Sequence, residues 1–127
     1  MSYDKNNVFA KMLRGEIPCK KVYEDQFCLA FHDLHPAAPI HVLVIPKGEY
    51  VSFDDMCSNA SHNYIAGFFK GVQATLDVLD LSGREKDGYR IITNCGPHGS
   101  QTVNHFHVHI LGGRKLGSLL VGDKHHS

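Results

Sequence analysis

The chain has 127 residues, 13 Lys and Arg against 13 Asp and Glu, 10 His, four Cys and no Trp. That length makes a single domain with interior enough for a hydrophobic core without disulfide staples. The balanced charge excludes a broad basic field for nucleic acid or anionic lipid but leaves room for a local phosphate site. The polar residues Met1 to Asn7 lack the apolar stretch of a secretory signal, and no segment is long enough to span a membrane. Cys19, Cys28, Cys57 and Cys95 are irregularly spaced with no Cys-x-x-Cys pair, so four reduced thiols in a cytoplasmic protein are expected, Cys95 packed rather than reactive.

In chain order, Asn7 is placed to cap a short helix through Val8 to Leu13, with Gly15 just past its end and Pro18 forbidding continuation. Val22-Tyr23 and Phe27 to Phe31 read as two short strands around a polar turn at Glu24-Asp25-Gln26. After the Pro36-Ala37-Ala38-Pro39 loop, His41 to Ile45 is a β-branched run suited to a buried central strand. Ile65, Phe68, Phe69, Val72, Leu76 and Leu79 recur at helical spacing, which predicts one long amphipathic helix from about Ser61 to Leu79. A polar loop over Ser82 to Gly88 leads to a strand at Tyr89 to Thr93, then a loop over Asn94 to Thr102.

The chain then reads His105-Phe106-His107-Val108-His109-Ile110-Leu111. Alternate side chains of an extended chain share a face, so a strand would align the three imidazoles about 6.6 Å apart and send Phe106, Val108 and Ile110 into a core. A helix would scatter them. The whole is expected to be an α+β domain: an antiparallel five-stranded sheet meander with one long and one short helix, its core over about residues 8–114 and a tail over 115–127.

A row of imidazoles with pKa values near about 6.5 can donate, accept, attack or ligate. The glycine-containing loop before it can turn backbone N–H groups toward phosphate oxygens, with Ser100, Gln101 and Thr102 adding side-chain donors. An anion held there would lie within reach of a neutral His107, which points to phosphoryl or nucleotidyl transfer through a covalent histidine intermediate. The spacing alone leaves a rival, because His-x-His also occurs in metal-dependent hydrolases. Those usually add a carboxylate base, and no acidic residue lies in the histidine run or its loop. His32, His35, His62 and His98 read as surface or turn residues, and His125-His126 as a disordered tail.

The run His105 to Leu111 resembles the His-φ-His-φ-His-φ-φ signature of the histidine triad superfamily, φ being apolar. The likeness extends from about Val8 to Arg114 through Phe31-His32-Asp33, Ala38-Pro39-Ile40-His41-Val42-Leu43-Val44-Ile45-Pro46-Lys47 and Leu111-Gly112-Gly113-Arg114. It is similar to the histidine triad nucleotide-binding branch, the purine nucleoside phosphoramidase group. The resemblance implies hydrolysis of nucleoside 5′-phosphoramidates with His107 as nucleophile and His109 binding and polarising the phosphate. His41 and His105 would complete the cluster. Thr102 would stand where the branch usually has serine and Ser100 where glycine is common, while Asn94 would contact the ribose or phosphate end. Asp33 would accept the ribose hydroxyls, with Phe9, Met12, Ile17, Phe31 and Leu34 forming an apolar slot for a purine.

The resemblance further implies a homodimer packed through the long helix and the second-last strand, with no metal and no cofactor. Some relatives carry structural zinc on N-terminal cysteines, but Ala10 and Met12 occupy that region here. The partners expected are a purine nucleotide and a second copy, with neither nucleic acid nor membrane. The alternatives are a dinucleoside polyphosphate hydrolase, a nucleotide-binding scaffold or a metal-dependent hydrolase. The tail lacks the tryptophan common in the branch, so the leaving group is not legible.

Overall fold

The protein was analysed as a computed structural model that describes residues 2–120. His125-His126 and the rest of the tail beyond Leu120 lie outside the described residues. Helix α1 covers Val8–Leu13, and its N-terminus is closed by the Asn7 side chain, which accepts from Ala10 N at 2.9 Å. Gly15 at φ +77° then turns the chain out of the helix. Strands β1 (Lys21–Glu24) and β2 (Cys28–His32) are joined by a turn that Asp25 organises, its Oδ1 accepting from Phe27 N and Cys28 N.

β3 spans Ile40–Pro46 and β4 and β5 span Tyr89–Ile92 and Val108–Gly112. All pairs are antiparallel in the order β1-β2-β3-β5-β4. The expected meander therefore holds through β3, after which β5 rather than β4 lies beside β3. The fourth strand takes the edge.

Two helices separate β3 from β4. α3, His62–Val78, is the expected long helix, capped by Ser61, which accepts from Tyr64 N. The seven-residue α2, Phe53–Asn59, was not expected; Ser52 caps it and Asp54 and Asp55 lie in its first turn, where the helix dipole favours negative charge. α3 packs across β1, β2 and β3. A Cβ at Gly71 would fall 2.4 Å from Cys28 Sγ, so only glycine lets helix and strand approach this closely.

The period of two sorts the strands cleanly. Cys28, Ala30, Val42, Val44, Val108 and Ile110 join Phe68, Val72 and Leu76 of α3 in the main core. Leu29, Phe31, Leu43 and Ile45 face the other way and form a smaller cluster with Phe9 of α1. Each fully buried side chain of this kind contributes about 1.5–3 kcal/mol. All four cysteines are unpaired. No helix among the described residues is long and apolar enough to cross a membrane.

Candidate active site

The histidine cluster grows from the α1 side of the sheet. In the β3–β5 register Leu43 lies opposite His109 and His41 opposite Leu111, so His41 and His109 are diagonal neighbours on one face. His41 Nε2 lies 2.9 Å from His109 Nδ1. His105 and His107 share that face, but they precede β5 rather than belong to it. This corrects the expectation of one strand carrying all three. β4 ends at Ile92, which pairs with His109, and beyond it single bonds tie the chain down: Phe106 N to Tyr50 O and Thr93 Oγ1 to His107 O. The rings consequently do not stand parallel. Those of His107 and His109 lie 5.1 Å apart at 67°.

Main-chain partners assign the protons of His41, His105 and His107, because a carbonyl only accepts and an N–H only donates, and His109 follows from His41. Ala37 N donates to His41 Nδ1 at 3.0 Å, so the neutral ring carries its proton on Nε2 and donates to His109 Nδ1. His109 is then protonated at Nε2. His107 Nδ1 donates to its neighbour's carbonyl, His105 O, at 2.7 Å, leaving Nε2 of His107 bare. His105 Nε2 donates to Pro46 O at 2.8 Å, and its Nδ1 accepts from the Tyr3 hydroxyl.

Burial favours the neutral form of His105, His107 and His109. His105 is 0 % exposed and His107 5 %. Loss of hydration, aided by the charge of a protonated His107, pushes His105 down to about 4. His109 is driven to about 4 by burial first and by its neighbours His107 and His41 second. Burial also holds His107 below the ordinary 6.5, opposed by its own bond to the His105 carbonyl and by the charge of Asp33.

The remaining expected residues separate into several groups. Asp33 Oδ2 lies 3.5 Å from His41 Nε2, and its Oδ1 accepts from His35 N. With His41, Lys20, His32, Leu34, Pro36 and Pro39 it lines a cleft of about 430 Å³, whose wall does not include His107. A hollow of about 500 Å³ between Asp80 to Gly88 and Gly113 to Lys115 shares none of these residues. Of the expected apolar slot, Leu34 is 72 % exposed on the cleft wall, Met12 and Ile17 are half-buried, and Phe9 and Phe31 are buried. Phe9 sets its ring against His107 at 5.1 Å and 80°.

Among the described residues the side chains of Asn94, Ser100 and Thr102 form no hydrogen bond, whereas that of Gln101 is committed. Its Nε2 donates to Val51 O and Val103 O and its Oε1 accepts from Gly96 N, so it braces the loop instead of offering a free donor. The N–H groups of Gly96, Ser100 and Gln101 are likewise used inside the loop, which narrows the expected backbone cradle. Cys95, expected to be packed, is exposed. Tyr3 went unrecognised in the sequence, where nothing local ties it to a ring 102 positions away.

Asp33, His41 and His109 bring three ligand atoms within 4.8 Å of one another. A cation there would need the Nε2 lone pair of His41 while Ala37 N–H holds its Nδ1, which demands an imidazolate. The proton pattern does not fit a metal.

A HIT domain model matches residues 14–116. The chain belongs to the HIT domain family. It is 51 % identical over 119 residues to an uncharacterized 13.2 kDa HIT-like protein of Azospirillum brasilense, covering 94 % of this chain and 95 % of that one. It is 38 % identical over 116 residues to the purine nucleoside phosphoramidase of Escherichia coli (strain K12), covering 91 % and 94 % respectively. Among solved structures, a histidine triad protein from Clostridium difficile superposes with a TM-score of 0.80 at 37 % identity, covering 94 % of this chain and 100 % of that one. HIT proteins are generally nucleotide hydrolases or transferases.

Proposed function

We propose that this HIT protein hydrolyses purine nucleoside 5′-phosphoramidates to the nucleoside monophosphate and an amine, through a nucleotidyl-His107 intermediate. The observation that carries the reading is the proton on His107 Nδ1, fixed by the His105 carbonyl at 2.7 Å, because it leaves the Nε2 lone pair free to attack. In the first step that lone pair forms an N–P bond as the substrate's P–N bond breaks, and the departing amine takes a proton from solvent. His109, protonated at Nε2, is the donor to the phosphoryl group, and the Thr102 hydroxyl serves the leaving group. In the second step water forms a P–O bond and gives up a proton to solvent as the bond to His107 breaks, and the ring returns neutral. Asp33 accepts from the ribose hydroxyls, Leu34, Met12 and Ile17 meet the purine, with Phe9 and Phe31 as its floor, Asn94 contacts the ribose or phosphate end, and Ser100 is a further nucleotide-binding residue.

The chemistry needs no metal, and the thiol pattern suits a reducing cytoplasm. A second copy fits the exposed apolar side chains of Tyr89 and Ile91 on the edge strand and Phe69 and Val78 on α3, at 45, 46, 39 and 58 % exposure. Sedimentation at micromolar concentration tests the dimer, and a monomer would remove it.

The decisive experiment is to quench turnover of labelled adenosine 5′-phosphoramidate in denaturant at neutral or higher pH. Acid-labile label on His107 is the expected result, and an unlabelled protein during active turnover sinks the covalent route. Faster turnover of diadenosine polyphosphate in a parallel arm would reassign the substrate class.

A further inference from the structure

The proposed nucleophile depends on His105, and His105 in turn depends on a residue at the far end of the chain. His105 is 0 % exposed, and no buried side-chain nitrogen or oxygen among the described residues lacks a hydrogen-bond partner. Pro46 O satisfies one ring nitrogen, and the Tyr3 hydroxyl is the partner of the other. The Tyr3 ring also meets the imidazole edge-on at 5.5 Å and 67°.

We propose that Tyr3 is a positioning residue of the active site: by donating to His105 Nδ1 it fixes the ring, and with it the carbonyl that holds the proton on His107 Nδ1. It touches no reacting atom in this scheme. It acts through His105, and its effect on catalysis rests on the function proposed above.

The arm that carries Tyr3 is anchored independently of that bond. Asn7, the cap of α1, donates from both its backbone N and its Nδ2 to Asp4 O, and Arg14 Nη1 donates to Lys5 O at 2.8 Å. From the same helix Phe9 approaches His105 at 6.3 Å and His107 at 5.1 Å, so arm and helix together enclose both rings. Burial raises the Tyr3 phenol above its ordinary 10, despite opposing influences from Asn7 and Arg14, so the group stays a donor near neutral pH. Removing only the hydroxyl leaves His105 Nδ1 as a buried acceptor with nothing to accept from. Rotating the ring gives up Pro46 O, and moving its proton to Nδ1 sets a bare Nε2 against that carbonyl, acceptor against acceptor, so either change disturbs the backbone at 105.

The test is Tyr3→Phe, read by nitrogen-15 NMR of the imidazoles and by steady-state kinetics. In the unmodified protein His105 should show a bare Nδ1 and His107 a bare Nε2. In Y3F both single-tautomer signatures should be lost, and kcat for adenosine 5′-phosphoramidate should fall about tenfold with KM little changed. Unchanged tautomers and kcat in Y3F would overturn the proposal, as would a drop in thermal stability alone. Independently of any variant, a proton on His105 Nδ1 in the unmodified protein would overturn it too. If the unmodified protein leaves the phosphoramidate intact, the function proposed above fails, while the imidazole spectra still judge Tyr3.

Discussion

On the α3 side of the sheet the strands contribute Cys28, Ala30, Val42, Val44, Val108 and Ile110, each at 2 % exposure or less. On the other side the same strands contribute Leu29, Phe31, Leu43 and Ile45 beside His41 and His109. A 17-residue helix covers the first face, while six-residue α1 and the amino-terminal arm cover the second. The thin cover leaves a cleft and allows polar rings to be buried, because His41, His105 and His107 each give one ring nitrogen to a main-chain group. The proposed chemistry thus lies on the face opposite the main core.

That division can be broken experimentally. His107→Ala should lower phosphoramidate turnover by about a thousandfold or more, with nucleotide still bound in an equilibrium titration. Near-normal turnover would dissolve the assignment of chemistry to this face. On the opposite face, Phe68→Ala should cost about 3–5 kcal/mol in a urea melt and leave kcat per folded molecule unchanged. A smaller effect of the same kind should follow Gly71→Ala, about 1–3 kcal/mol through overpacking against Cys28 Sγ. Cys28→Ala should relieve part of that cost, and a strictly additive double variant would remove the packing argument.

The mildest probe is pH. An ordinary imidazole is about three-quarters protonated at pH 6. Burial lowers His107, so turnover should persist there and fall only at more acid pH. For stability, the unfolded chain takes up protons near about 6.5, whereas folded His105 and His109 resist protonation down to about 4. Their contribution is therefore fully present above that unfolded value and is lost as pH falls from 6.5 toward 4. A melting temperature flat across this interval would contradict the burial of these rings.

The sequence made the main elements legible because each carried a local signal: the Asn7 cap, the β-branched run after His41, and the apolar stripe of α3. α2 escaped because Met56 is its only buried residue and supplies no periodicity, leaving the cap at Ser52 and the two aspartates as the sole signs. The histidine run showed side-chain direction correctly but not ladder bonding, which depends on whether a partner strand reaches that far. The order of β4 and β5 was likewise a matter of which edge lay open to β3. In the site, the imidazoles and Asp33 stood out by type and by resemblance. Ala37 and Tyr3 did not, and Gln101 stood out as a free donor rather than a brace, since these parts are set by distant backbone or by a long-range meeting of side chains.

Ala37 has a consequence of its own. Its N–H gives His41 a polarity, since a main-chain donor occupies Nδ1 and leaves Nε2 to face His109. The sense of the relay from His41 to His109 is therefore written in a peptide plane, out of reach of any side-chain exchange at position 37 except proline. New leaving groups could be accommodated on this frame by reshaping the walls around the rings, with the one-way direction inherited unchanged.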